Sequence, residues 1–231
     1  MKIKIKNNNN LINFNLLNFR LYLGLKKNTM FFKNIIYLKG FKLNFCIYNL
    51  SKISKYLKKS LKLVYEYHYS NSKILFVGFT NNILFNFSFI IDKTGHYSIS
   101  KNEWVNNSIT NKITLFKILK KQAIKKLKKK DFNSMKKLQK KLQMKFIPDL
   151  IVIYNKKENL KAFKESLNFN KPSIIFINSS DFIEEKTYNI PGGFQLNSSE
   201  KLCYFFIKSI LMLPKKKHNF YEKKNHNFKK K

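Results

Sequence analysis

Short, near-continuous apolar runs alternate along this chain with stretches in which apolar side chains recur every three or four positions. The β-type runs are LNFCIYNL (43–50), KILFVG (73–78), HYSIS (96–100), LIVIYN (150–155) and SIIFIN (173–178). Most are apolar at nearly every position. That predicts parallel strands covered on both faces, since a half-exposed antiparallel strand would alternate apolar with polar residues. Helical spacing fills the gaps: Ile53, Leu57, Leu61 and Val64, then Leu160, Phe163 and Leu167, then Leu202, Phe206 and Ile210. Strand and helix in alternation predict a three-layer α/β/α fold with right-handed crossovers.

One insertion breaks the alternation. Between the third and fourth runs, Ile113, Phe116, Leu119, Ala123 and Leu127 keep helical spacing, and Phe132, Met135, Leu138 and Leu142 do so after Asp131. Two helices sharing so narrow a stripe predict a hairpin over about 110–146, projecting from the sheet with lysines on its outer surface. The chain therefore divides into an Asn-rich extension (1–19), one α/β domain (20–213) carrying the hairpin, and a basic tail (214–231). The two ends are of low complexity.

Charge narrows the choice of partner. The 47 Lys and Arg stand against 12 Asp and Glu, a formal charge of +35. Such an excess points to a polyanion, because each phosphate neutralised releases counterions and adds sequence-independent affinity. Arg20 is the single arginine, and Asn, Ile and Phe are also abundant. This is the signature of AT-rich codons, so an individual lysine carries little weight. Aspartate is also AT-encoded, yet only Asp92, Asp131, Asp149 and Asp181 occur, and that scarcity supports a polyanionic partner.

Chemistry is hard to find. No GxGxxG or GxxxxGK[ST] motif occurs, and neither NLSKISK nor VGFTNN has the glycines that let backbone cradle a pyrophosphate. The most site-like strand end is FINSSDF, with Ser179, Ser180 and Asp181; these residue types also build turns, and the turn reading is the stronger. No catalytic residue, cofactor or small-molecule substrate is expected. Cys46 and Cys203 lie in apolar runs without metal spacing, which predicts buried reduced thiols. His68, His96, His218 and His226 form no ligand set, so no metal is expected. Leu202–Leu213 is interrupted by Lys208 and is too short to span a bilayer, so no membrane partner is expected. Trp104, the only tryptophan, falls in the polar stretch SKNEWVNNSITNK, where its ring equally fits anchoring a loop or meeting a partner.

Several stretches, in order, resemble the family of small-subunit ribosomal protein two. YLKGFKLNFCIYNLSK places Gly40, Asn49, Leu50 and Lys52 on the family's positions, and KILFVG matches its second strand. PDLIVIYN from Pro148, KPSIIFINSSD, and NIPG at 189–192 follow in sequence. EWVNNSITN keeps Trp104, Thr110 and Asn111 of the family's loop, while Glu103 stands in place of its arginine and Asn106 and Asn107 in place of its glycine pair. Near LYLGLKKNTM only Gly24 and Asn28 fit. The resemblance runs from about Leu23 to Leu213.

It implies a five-stranded parallel sheet in flavodoxin-like order with a protruding helical hairpin. It also implies a non-catalytic structural constituent of the small ribosomal subunit, bound to its rRNA and neighbouring ribosomal proteins near the head–body junction. On that footing Lys26, Lys27, Lys33, Lys39, Lys42, Lys112, Lys215, Lys216 and Lys217 are the expected rRNA contacts, and Trp104, Thr110 and Asn111 the loop anchor. The drifted, lysine-rich sequence points to an organelle-encoded member in the mitochondrial matrix; a plastid or an AT-rich bacterium fits the same signature. An enzyme on the same sheet, using Ser179, Ser180 and Asp181, and a protein held by its basic ends to an anionic membrane are the alternatives.

Overall fold

The structure, a computed structural model, describes residues 15–80, 83, 89–91, 93–100, 104, 109, 147–194 and 197–216. Among these residues eight strands form two sheets. The larger contains β4 (Ile74–Phe79), β5 (Tyr97–Ser100), β6 (Leu150–Ile153), β7 (Ser173–Ile177) and β8 (Tyr188–Pro191), all parallel, in the order β5-β4-β6-β7-β8. Numbered within the sheet this is 2-1-3-4-5, the flavodoxin-like order. Helix α1 (Leu50–Tyr69) packs on α3 (Asn197–Leu211) and against β8, and α2 (Leu160–Asn168) packs on β6. The result is the expected three-layer α/β/α fold. The predicted hairpin over 110–146 lies outside the described residues.

The membership of the sheet differs from the sequence reading in one strand. The run 43–50 is not part of it. Its core, β3 (Phe45–Tyr48), pairs antiparallel with β1 (Leu23–Lys26) and β2 (Leu38–Lys42) in a separate sheet of order β1-β3-β2. Its burial shows why: Phe45 is exposed while Cys46 and Tyr48 are buried, so this strand alternates although nearly all its residues are apolar. The fifth parallel strand is instead β8, which is short and interrupted by Asn189 and Pro191. Proline is tolerated there because β8 is an edge strand.

The core follows from these elements. Every residue of β4, β6 and β7 is buried, as two-sided coverage by helices requires. Phe79, Tyr154, Phe176 and Phe194 interlock, with ring centroids 5.0–6.1 Å apart for the pairs Phe79–Tyr154, Tyr154–Phe176, Tyr154–Phe194 and Phe176–Phe194. In α1 the expected stripe Ile53, Leu57 and Val64 is buried, with Leu61 packed at its margin. Asn49 starts this helix, its side-chain oxygen accepting the amide of Ser51 at 3.1 Å. In α3 the buried stripe runs Leu202, Cys203, Ile207 and Leu211, with Phe206 and Ile210 only partly covered. Cys46 and Cys203 are both buried and free.

Gly78 explains the last letter of KILFVG. It adopts φ +93°, and a Cβ there would lie 2.3 Å from Asn159 Nδ2 and 2.5 Å from the Tyr154 carbonyl. Asn159 uses that amide to tie the carbonyls of Tyr154 (2.9 Å) and Asn155 (3.1 Å), closing the loop after β6. Only glycine leaves room for the approach.

Candidate nucleic-acid interface

The small sheet closes over one end of the large one. In doubly wound folds a ligand binds outside the carboxyl ends of the parallel strands; here the loop after β7 is already engaged. Ser179 is fully buried and its hydroxyl accepts the Leu25 amide at 3.0 Å, while its carbonyl accepts the Phe31 amide at 2.8 Å. Asn34 donates its side-chain amide to the carbonyls of Ser179 (2.7 Å) and Asp181 (2.8 Å). Asp181 takes the Asn178 amide at 2.7 Å, the self-bonding turn expected of an aspartate. Burial pushes its carboxyl pKa up, partly offset by that hydrogen bond and by Lys157 and Lys156. On the neighbouring strand end, Gly193 donates to the Leu21 carbonyl at 2.9 Å, and a Cβ on it would sit 2.0 Å from the Leu23 carbonyl. Ser179 and Asp181 of FINSSDF and the second glycine of IPGG therefore clasp residues 21–34 rather than a substrate, while the Ser180 hydroxyl is buried without a hydrogen-bond partner among the described residues.

Lys156 reinforces the clasp. It is buried, donates to the Phe182 carbonyl, and holds its ammonium 4.1 Å from the ring centre of Phe163 and 5.5 Å from that of Phe182. Burial lowers its pKa, and the charges of Asp181 and Glu184 act in the opposite sense.

The clasped segment carries three of the expected contact lysines, Lys26, Lys27 and Lys33, and the strand that follows it carries two more, Lys39 and Lys42. Lys26 and Lys42 sit in β1 and β2, and each pairs with Phe45 of the strand between them, so the three share one face of the sheet. Lys27 begins a 3-10 turn (Lys27–Thr29), and its ammonium lies 5.1 Å from the ring centre of Phe41. Lys33 lies in a second such turn (Phe32–Tyr37), 5.6 Å from the ring of Phe182. Lys39 is exposed on β2. All five are solvent-facing. The segment that carries them contains no acid: the first acidic residue of the chain is Glu66, and residues 1–65 hold 13 lysines and Arg20.

The C-terminal lysines are placed differently. Lys215 is part-buried and donates to the Thr94 carbonyl; burial lowers its pKa, with the charge of Lys73 adding in the same direction. Lys216 is exposed, and its backbone bonds Tyr69 and the side chain of Asn71. The segment after Pro214 is thus stitched onto the domain through residue 216. Lys112, Lys217, Thr110 and Asn111 lie outside the described residues.

Trp104 reaches α2. Its indole Nε1 donates to Glu165 Oε2 at 3.0 Å, and the other carboxylate oxygen accepts the Ile109 amide at 2.7 Å. Glu165 is itself buried, so one carboxylate ties down two points of the chain that enters the insertion. Sequence reading passed over Glu165, which looks like a surface charge in LKAFKESLN.

It also passed over a buried histidine pair. His68 Nε2 donates to the Leu213 carbonyl (2.9 Å), which leaves Nδ1 to accept from His96 Nε2 (2.9 Å); His96 Nδ1 then accepts the Ile74 amide (3.3 Å). This chain of donors works only with both rings neutral. Burial, aided by Lys215, His68 and Lys73, lowers the His96 pKa to about 3, and burial lowers that of His68 too. The pair joins α1, β4 and the end of α3.

A cavity of about 730 Å³ lies between Asn15, Phe19, Ile83, Leu202, Tyr204 and Phe205, with Lys201 the only cation among the described residues that line it. It brings together no acid and base. Among the described residues no group of three His, Cys, Asp or Glu could hold a metal ion, and no helix is long and apolar enough to cross a membrane.

A family model described as Ribosomal protein S2 matches residues 16–211, most of the chain. The chain belongs to the ribosomal protein S2 family. Membership makes it a protein of the small ribosomal subunit, at work in translation within a ribosome, and places it in a structural family, not an enzyme family. The matched span covers both sheets and the helices α1 to α3, so the clasp between the sheets is part of the S2 region itself.

Proposed function

We propose that this S2-family chain is a non-catalytic structural constituent that binds small-subunit rRNA through the face of its small sheet and packs against neighbouring ribosomal proteins near the head–body junction. The observation that carries the reading is the group Lys26, Lys27, Lys33, Lys39 and Lys42, solvent-facing on a segment with no acidic residue. Such lysines position the protein on phosphates without reading base identity. Lys112, Lys216 and Lys217 are further phosphate contacts in this reading; Lys216, beside Tyr69 and Asn71, lies at the amino end of the large sheet and so forms a second contact point away from the small sheet, and Lys215 is available only if its bond to Thr94 opens. Trp104 anchors the loop into the insertion through Glu165, together with Thr110 and Asn111. The AT-rich residue usage supports the mitochondrial matrix as its location and the organelle genome as its source.

The test is sedimentation of a mitochondrial extract at low and high salt, with the chain followed by mass spectrometry. Co-migration with the small subunit is the expected result; recovery only in light or membrane fractions overturns it. For RNA alone, log affinity should fall linearly with log salt, and replacing Lys26, Lys27 and Lys42 by Gln should flatten the slope by about 2. For the anchor, Glu165→Ala should shift the emission of the only tryptophan to the red; an unshifted spectrum removes that role.

A further inference from the structure

The tip of the β2–β3 hairpin is built against local preference. Two residues, Leu43 and Asn44, connect the strands, and both have positive φ, 47° and 63°. A two-residue hairpin turn of this hand favours Asn-Gly or Asp-Gly, because φ > 0 crowds any larger side chain. A leucine at the first position is a backbone outlier, and outliers of this kind cluster where function holds them. Leu43 stabilises nothing within the fold in return, since it is 85% exposed. Phe41 and Phe45 on either side of the turn are 41% and 43% exposed. Within five residues the hairpin thus presents Leu43 at its tip, Phe45 on the face it shares with Lys26 and Lys42, and Phe41, beside Lys27, on the other face.

We propose that this tip is a base-stacking wedge: Leu43 and Phe45 pack on unpaired or bulged nucleotides of RNA while Lys26 and Lys42, on the same face, and Lys27 hold the flanking phosphates. The inference rests on the rRNA-binding reading and goes beyond it, from contacts to phosphate alone to contacts with exposed bases. Charge selects the occupant. A protein groove that buried this tip would leave three ammonium groups to neutralise, and the acid-free segment offers no partner for them; RNA supplies phosphates and π-faces together. Unpaired nucleotides are favoured over a helix because the deep, narrow major groove of A-form RNA keeps side chains from the bases, whereas loops and bulges splay them out.

The test uses the full-length protein and two RNA probes of equal length: a perfect duplex, and the same duplex with a two-nucleotide bulge containing 2-aminopurine. The bulged probe should bind about tenfold tighter, from stacking on one base, and its fluorescence should change on binding. Leu43→Asn, which suits the turn, and Phe45→Thr, which suits the strand, should each remove most of that preference while leaving duplex affinity unchanged; thermal melts verify folding. Equal affinity for the two probes with steep salt dependence overturns the wedge but leaves phosphate binding standing. Failure to bind either probe overturns both. A bulge preference that survives Leu43→Asn, or loss of subunit association in that variant without loss of the preference, overturns the wedge and points to a protein neighbour at the tip.

Discussion

The two sheets are made of similar residues and serve opposite ends. In β4, β6 and β7 every position is buried, and helices cover the sheet. In β1, β2 and β3 only Cys46 and Tyr48 are fully covered, and the rest of the sheet faces outward or is half-covered. The large sheet holds itself together by apolar burial. The small one has no core of its own and is held by directional bonds to the carboxyl end of the large sheet, from Leu25, Phe31 and Asn34 to the loop 178–181. A sheet secured this way can expose lysines and phenylalanines without weakening the fold beneath it. The same attachment occupies the carboxyl ends of β7 and β8, beside the switch point between β4 and β6 where a doubly wound enzyme places its ligand.

The largest test of this contrast is Phe76→Ala in the large sheet. Removing a fully buried ring should cost about 3–5 kcal/mol of unfolding free energy, measured by denaturant titration. A cost no greater than that of a substitution in β1–β3 would mean the large sheet is not the stabilising unit.

Next is the histidine pair beneath it. Both rings are neutral when folded and have depressed pKa values, so the unfolded state binds more protons below the ordinary histidine pKa near 6.5. The stabilisation is therefore complete above that value and is lost as pH falls towards about 3. Between pH 7 and pH 5, His96 alone should account for about 2 kcal/mol, with His68 acting in the same direction. A stability curve flat over this window breaks the assignment.

Asn34→Ala acts on the join. Losing its bonds to Ser179 and Asp181 should cost about 1–2 kcal/mol. Amide exchange should rise across residues 23–48 and stay low across 74–79; a uniform rise would show the two sheets to be one cooperative unit.

The smallest effect has the opposite sign. Leu43→Asn should stabilise the protein by about 1 kcal/mol, because asparagine accepts the left-handed backbone better than leucine does. Thermal melts would resolve it. Destabilisation would mean that Leu43 contributes packing its 85% exposure does not suggest.

Much of the large sheet was legible from the chain alone, because burial on both faces demands apolar residues at consecutive positions and KILFVG, LIVIYN and SIIFIN meet that demand. The stripe of α1 was equally plain, through Ile53, Leu57 and Val64. The order of motifs carried the family, and with it the strand order, although the run 43–50 was assigned to the wrong sheet. That error has a physical source: Phe45 and Ile47 are as apolar as core residues, and nothing local distinguishes an aromatic displayed to a partner from one buried in a core. The lysines of the small sheet were legible as types but not as a surface, since AT-rich coding scatters lysine everywhere. Only tertiary structure decides which of them share a face, and that Lys215 is turned onto Thr94.

Composition and periodicity, then, determined the layers, the positive charge and the polyanionic class of partner, because these depend on residue types and short spacings. Tertiary structure alone decided that Ser179, Asn34 and Gly193 are clasps, that His68 meets His96, that Glu165 holds Trp104, and that Leu43 stands strained at an exposed tip. Each of these joins positions distant in the chain or depends on a backbone angle, and no local pattern records either.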